Sequence, residues 1–337
     1  MPGIRQHRTR CWGCGPVSHC EAGWGEEVSA RDPRVPVSHR PARRPVAPCL
    51  GWAAAWTLAC AGLLLGGALN IECSLAASAR RIVSLNLCAD QILLDLVARE
   101  RIAGLSFLAR DPTMSTNVEG ARGIPAVQGS AEEVLALGPD LVLVGSYSTP
   151  ATQSLLRRLG VRVAGIPMAS SFEEIRAVVR QIAHETGDEA EGEALIVDFD
   201  RRLEAARAPR TENRPFALAY QVNSLASGPG SLLHEMIEAA GFRNLAADRT
   251  LGPGGRLPLE SLVLDPPDLL IFANAPGDFR TVLGDNLRHP AVRYIAGHQA
   301  SLHLPMPLWL CGTPRAVEAV ERLAAARRDL GAGKRGP

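Results

Sequence analysis

Lysine is nearly absent from this chain: of 36 basic residues only Lys334 is a lysine, and the rest are arginine. We read that as a compositional bias rather than a function. Aromatic residues are also scarce, at 4% of 337 residues, which argues against a site walled by many stacked rings. Further absences remove whole reaction classes. The sequence has no Gly-x-Ser-x-Gly elbow, no phosphate loop ending in Lys-Ser or Lys-Thr, and no dinucleotide glycine pattern followed by an acid. SGPGS (227–231) could offer backbone N–H groups to an anion at a helix start, but without the Lys-Ser/Thr it reads mainly as a turn. An excess of one charge is missing too: the formal net charge is +1, so no nucleic-acid partner is expected.

What is present is uneven along the chain. Residues 1–49 hold eight arginines against four acids and lack any apolar periodicity. We read them as a disordered or mis-assigned extension. Within them Cys11, Cys14, His19 and Cys20 are zinc-ligand types, but no second Cys/His pair at finger spacing follows. Leu50 to Ile71 carries no charge, follows Arg40, Arg43 and Arg44, and leads into SLAASA, where Ala77-Ser78-Ala79 fits a small-x-small cleavage site. Residues 50–79 therefore read as a signal peptide. The run is also long enough to span a bilayer, so an uncleaved anchor stays open. The exported chain begins near Arg80 and keeps two cysteines, Cys88 and Cys311. An oxidising compartment permits a disulfide between them, and two buried thiols is the equal alternative.

From Arg80 onward, short apolar runs alternate with helical periodicity. RRIVSLN, RIAGLSF, PDLVLVGS and VRVAGIP read as strands between the helices CADQILLDL, SAEEVLALG and ATQSLLRRLG. SFEEIRAVVRQIAHETG follows, with Ser171 and Glu174 placed for a capping box. A long amphipathic helix comes next, and then the pattern restarts with FALAYQV (216–222), a loop and helix, LPLESLVLD, PDLLIFAN, SLHLP and a terminal helix with Thr313 as N-cap and Pro314 at its first position. Such alternation implies βαβ units and mostly parallel sheets. The expected organisation is an α/β lobe over 80–186, a linking helix over 187–210 and a second α/β lobe over 211–330.

The two halves share a segment. Aligning Pro139-Asp140 with Pro267-Asp268 sets an offset of 267 − 139 = 128, which places Glu132 on Glu260 and Val134 on Leu262. A helix start favours acids by some tenths of a kcal/mol, so both glutamates have a bland explanation. Glu133 sits three residues after Ser130 and can close a capping box. Glu132 cannot, and Glu260 has Leu257 three residues before it.

RIVSLN, SAEEVLALGPDLVLVGS, the long middle helix, LPLESLVLDPPDLLIF and WLCGTPRAVEAV together resemble the bacterial periplasmic substrate-binding proteins for vitamin B12, iron-siderophore complexes and haem, over about residues 80–330. The resemblance implies two lobes joined by a rigid helix with the ligand in the cleft between them, no catalysis, and delivery of a metal chelate by a monomer to an ABC permease. It implies cobalamin-type corrinoids first, with ferric siderophores or haem next. Any cobalt or iron would arrive inside the chelate, with no cofactor of the protein's own. It also implies that Glu132 and Glu260 pair with permease arginines.

Parallel α/β lobes bind ligands beyond the carboxyl ends of their strands. That rule selects Asn86, Phe107, Arg110, Tyr147, Tyr220, Gln221, Arg256 and Trp309, with Leu87, Gln128, Ser146, Asn223 and Asn274 nearby. Each has a structural alternative: core packing for Tyr220, a lid on a helix end for Trp309, local pairing for both arginines. Haem would take an axial Tyr147 or Tyr220. His184, His234, His289, His298 and His303 show no ligand spacing, so no metal site built by the protein alone is expected. Two alternatives remain: a cleft enzyme or metal-cluster protein using Cys88 and Cys311, and a membrane-anchored sensor retaining residues 50–71.

Overall fold

In the N-terminal half the chain alternates strand and helix as β1 (Ile82–Ser84), α1 (Leu87–Leu96), β2 (Ile102–Ser106), α2 (Val118–Ala121), β3 (Ala126–Val127), α3 (Ala131–Ala136), β4 (Leu141–Val144), α4 (Pro150–Arg158), β5 (Arg162–Gly165) and α5 (Phe172–Thr186). This is a computed structural model, and it describes residues 78–209, 213–273 and 284–333. The extension 1–49, nearly all of segment 50–79, and Asn274 lie outside the described residues.

The five strands are parallel in the order β3-β2-β1-β4-β5. All four residues of β4, LVLV, are buried. A strand covered by helices on both faces needs an unbroken apolar run rather than alternation. The order reverses direction beside β1, so the crevice there is where such a sheet takes a ligand.

α5 ends at Gly187, whose left-handed φ of 80° turns the chain, and α6 (Glu189–Ala206) runs back along it. Arg176 pairs with Asp200 at 2.7 Å and Arg180 with Glu193 at 2.6 Å across this hairpin. The linking helix is thus Glu189–Ala206, narrower than 187–210.

The second half contains β6 (Phe216–Ala219), β7 (Leu225–Ala226), α7 (Leu232–Ala239), β8 (Arg243–Asn244), α8 (Leu245–Asp248), β9 (Gly255–Arg256), α9 (Leu259–Leu264), β10 (Leu269–Phe272), α10 (Asp285–Arg288), α11 (Pro290–His298), β11 (Ala300–His303), α12 (Pro307–Leu310) and α13 (Val317–Gly331). Its parallel sheet is ordered β11-β10-β6-β8, and β7 pairs antiparallel with β9. The architecture is two α/β lobes with mostly parallel sheets.

One buried cluster runs through both lobes, from Ile82 and Ile92 through Ile175, Phe199 and Met236 to Val320. Separate clusters cover the outer faces, around Val142 in the first lobe and Leu270 in the second. The shared core packs on the linking helix, and bending between the lobes would open it to water.

The repeated Pro-Asp turn does the same task twice. Asp140 accepts from the N–H of Arg80 at 2.7 Å and of Arg81 at 3.1 Å, fixing the start of β1. Asp268 accepts from the N–H of Phe216 at 2.8 Å, fixing the start of β6. Each aspartate thereby registers the first strand of its lobe against the strand that follows it.

Some elements differ from the sequence reading. β6 stops at Ala219 rather than running to Val222, because Asn223 and Ser224 adopt left-handed φ of 58° and 57° and turn the chain into β7. The small β7-β9 pair escapes the periodicity rules, since strands of two residues leave too short a pattern. Thr313 makes no side-chain cap, and Pro314 opens a 3-10 turn, Pro314–Ala316, that leads into α13. At α5 the Ser171 hydroxyl accepts from Glu174, but Glu174 returns its carboxylate to Ser170 N–H, one residue upstream of a reciprocal box.

Candidate ligand site

All five strands of the first lobe end at one cavity of about 480 Å³. β1 contributes Leu85 and Asn86, β2 contributes Ser106 and Phe107, β3 contributes Val127 and Gln128, β4 contributes Gly145 to Thr149, and β5 contributes Ile166 and Met168. Met114 closes one side, and Leu310 and Cys311 of the second lobe supply a wall. Carboxyl strand ends converge in this way because parallel strands all point to one edge. The volume falls in the range of small-molecule sites, and no described residue lining it carries a charge.

Asn86 organises the floor. Its Oδ1 accepts from the N–H groups of Cys88 and Ala89, capping α1, and its Nδ2 donates to the Ile166 carbonyl at 3.4 Å. A Cβ at Gly145 would stand 2.5 Å from Asn86 Nδ2, so only glycine lets β4 pass the cap. Phe107 and Tyr147 project into the mouth and are 45% and 90% exposed.

The other expected contacts lie elsewhere. Tyr220 is fully buried, with its hydroxyl on Ser224 at 3.0 Å, so its ring belongs to the core of the second lobe and its oxygen is engaged. Gln221 donates to Ser227 at 3.0 Å. Arg110 donates to the Ile124 carbonyl and steadies its own loop. Arg256 is exposed on β9, outside the cavity. Trp309 packs against the shared core and donates to the Leu304 carbonyl at 3.3 Å, while its neighbours Leu310 and Cys311 reach the cavity. None of these five is among the described residues that line the cavity. Sequence reasoning missed the two methionines and Leu310. Met168 was findable, because it follows β5 as directly as Phe107 follows β2.

Beneath the floor lies Asp90, fully buried on α1, with Ser106 donating to Oδ2 through Oγ at 2.5 Å and through N–H at 3.2 Å. Its Oδ1 has no hydrogen-bond partner. Burial pushes the carboxyl up to about 7, against the hydrogen bonds from Ser106 and Ser84. The native state therefore holds a proton that the unfolded chain releases near 3.8. Stability from this group is fully present below 3.8 and is lost as pH rises through about 7. At about 1.4 kcal/mol per pH unit, the window is worth a few kcal/mol. Urea unfolding of wild type and Asp90→Asn should show the variant gaining relative stability by that order between pH 4 and pH 8. A constant difference would mean that Asp90 is ionised in the native state.

Ser130 and Glu133 form the reciprocal capping box at α3, and Glu133 Oε2 also accepts from the N–H groups of Gln128 at 2.9 Å and Gly129 at 3.2 Å. Glu132 and Glu260 are exposed and make no hydrogen bond or ion pair with any described residue. Both stand in the first turn of a helix that leads into a sheet strand, hence at the carboxyl edge of their sheets.

Cys88 and Cys311 are joined by a disulfide, with Cα atoms 5.1 Å apart. Bonded to each other, they offer no thiolate to a cluster. Among the described residues no group of three or more His, Cys, Asp or Glu side chains could hold a metal ion. No described helix is long and apolar enough to cross a membrane.

These features define a two-lobed α/β receptor with an apolar cavity at its strand ends. The chain belongs to the periplasmic binding protein family, which matches residues 82–292. It is 28% identical over 271 residues to a cobalamin-binding protein of Halobacterium salinarum, covering 76% of this chain and 72% of that one. The haem-binding protein of Roseiflexus sp. RS-1 superposes with a TM-score of 0.61 at 26% identity, covering 74% of this chain and 98% of the other. The vitamin B12-binding protein of Vibrio cholerae shares the fold, with a TM-score of 0.55 at 20% identity over 74% of this chain and 97% of the other.

Proposed function

We propose that this protein binds a cobalamin-type corrinoid in the periplasm and delivers it to an ABC permease without chemical change. The observation that carries the ligand class is the absence of charge among the described residues lining the cavity. Haem propionates and anionic siderophores call for arginine forks or cationic side chains. A corrinoid presents apolar ring faces and neutral amides. Leu85, Met114, Ile166 and Met168 suit the first, and the side chains of Gln128, Ser146 and Tyr147 suit the second. The similarity to the Halobacterium cobalamin-binding protein supports the same reading.

Equilibrium titrations with cyanocobalamin, haem and a ferric catecholate decide between the ligands. Cyanocobalamin should bind at least tenfold more tightly than the other two. Preference for haem, with a visible-spectrum change lost in Tyr147→Phe, would move the function to the runner-up. Export through residues 50–79 is part of the proposal, and N-terminal sequencing of the exported protein should find Arg80 at its start.

Glu132 and Glu260 are the proposed permease contacts. They are exposed, without partners among the described residues, and equivalent in the two halves. Arginines on a permease would give each a charge-assisted partner, and two such pairs would set both position and orientation.

A further inference from the structure

We infer that the Cys88–Cys311 disulfide is a strap between the lobes that holds one wall of the ligand cavity in place and slows ligand release. Both cysteines line the cavity, one in the first turn of α1 and the other directly after α12. The bridge closes a sequence separation of 223 residues and joins opposite lobes. Its ligand role rests on the proposed function above; its mechanical role does not.

The wall needs such a tie. α12 is one turn long, packs chiefly on α13 and the 3-10 turn before it, and carries Leu310 into the cavity. Just after the bridge the chain is tied directly to the first lobe. Gly312 lies against Ala169, so closely that a Cβ on Gly312 would collide with the Ala169 side chain and carbonyl. Arg315 then forks onto Asp95 of α1 through Nε at 2.8 Å and a second nitrogen at 2.5 Å. That seam fixes residues 312–315 with or without sulfur. Residues 305–311 have the disulfide as their covalent hold on the first lobe. Leu308 and Trp309 also pack on the shared core, so breaking the bridge loosens Leu310 and Cys311 while the seam keeps the lobes joined.

A dithiol such as dithiothreitol provides the test. It breaks the S–S bond, supplies two electrons and two protons to give two thiols, and is itself oxidised to a cyclic disulfide. Hydrogen–deuterium exchange on oxidised and reduced protein needs no ligand. Exchange should accelerate at 305–311 and in the first turn of α1, with the rest of α1 and α13 unchanged. Cyanocobalamin dissociation, followed by stopped flow, should accelerate at least tenfold on reduction and equally in Cys88→Ser/Cys311→Ser. If cyanocobalamin fails to bind the oxidised protein, the ligand assignment falls, and the exchange comparison still decides the strap. Unchanged exchange at 305–311 would overturn the inference. So would a loss of protection throughout the chain on reduction, because the bridge would then hold the fold rather than the wall. Should the double serine variant fail to fold, reduced and alkylated wild type replaces it in the same measurements.

Discussion

Replacing Glu132 and Glu260 together by arginine should leave cyanocobalamin binding by the purified protein unchanged and abolish uptake by cells that depend on it. Neither carboxylate lines the cavity, and neither is paired within the described residues. Their local value is that of an acid at a helix start, about 0.3–1 kcal/mol each. Reversing both charges therefore leaves the fold standing. At a permease carrying arginines the same change replaces two attractive pairs by two like-charge contacts, each costing several kcal/mol. A few kcal/mol is already a hundredfold or more in affinity. Each single reversal should give a partial loss, and charge-swapped permease arginines should restore uptake. The neighbouring Glu133 is the control. Glu133→Ala removes the carboxylate that holds the N–H groups of Gln128 and Gly129 at the cavity edge, so it should weaken ligand binding and lower stability by about 0.5–2 kcal/mol. Uptake that survives the double reversal would return Glu132 and Glu260 to the status of ordinary helix starts.

Removing the two aromatic side chains at the cavity mouth should do the opposite: ligand affinity falls while stability holds. Phe107 and Tyr147 are 45% and 90% exposed, so neither contributes much to the core. Large rings left in water at a pocket mouth gain their burial only when a ligand arrives. Interface anchors of this type are worth about 2 kcal/mol or more when truncated. Phe107→Ala and Tyr147→Ala should each weaken cyanocobalamin binding by more than tenfold, measured by calorimetry, with unchanged urea midpoints. Tyr220→Phe makes the contrast. Its ring is buried and its hydroxyl bonds Ser224 at 3.0 Å, so losing the oxygen should lower stability by about 1 kcal/mol and leave affinity alone. Equal affinity in wild type and the Phe107→Ala/Tyr147→Ala double variant would place the ligand elsewhere.

Much of the fold was legible because its signals are local. Buried parallel strands require unbroken apolar runs, and LVLV and LLIF announce β4 and β10. Helix starts require particular caps, and Ser130-x-x-Glu133 supplied one that closes as expected. The internal repeat was visible as spelling, although the work of its aspartates, each latching the first strand of its lobe, was not. The rule that ligands sit beyond strand ends selected Asn86, Phe107 and Tyr147, which line the cavity. It also selected Tyr220, Gln221 and Trp309, which stand near equally suitable ends but outside the cavity's lining. Which side chain turns toward a cavity and which toward the core depends on what packs behind it.

The sequence by itself determined the two α/β halves, the helix between them, the family, and the pair of glutamates that no cap requires. Each follows from periodicity, from turn chemistry or from a repeated order of residues. Tertiary structure alone decided three things. It assembled a cavity whose described lining carries no charge from five strand ends scattered over more than eighty residues. It buried Asp90, an ordinary first-turn acid by sequence, with one oxygen lacking a hydrogen bond and a pKa raised to about 7. It also brought Cys88 within 5.1 Å of Cys311 across the lobes. Charge screening, desolvation and disulfide reach all depend on distance through space, and the order of residues along a chain does not carry that distance.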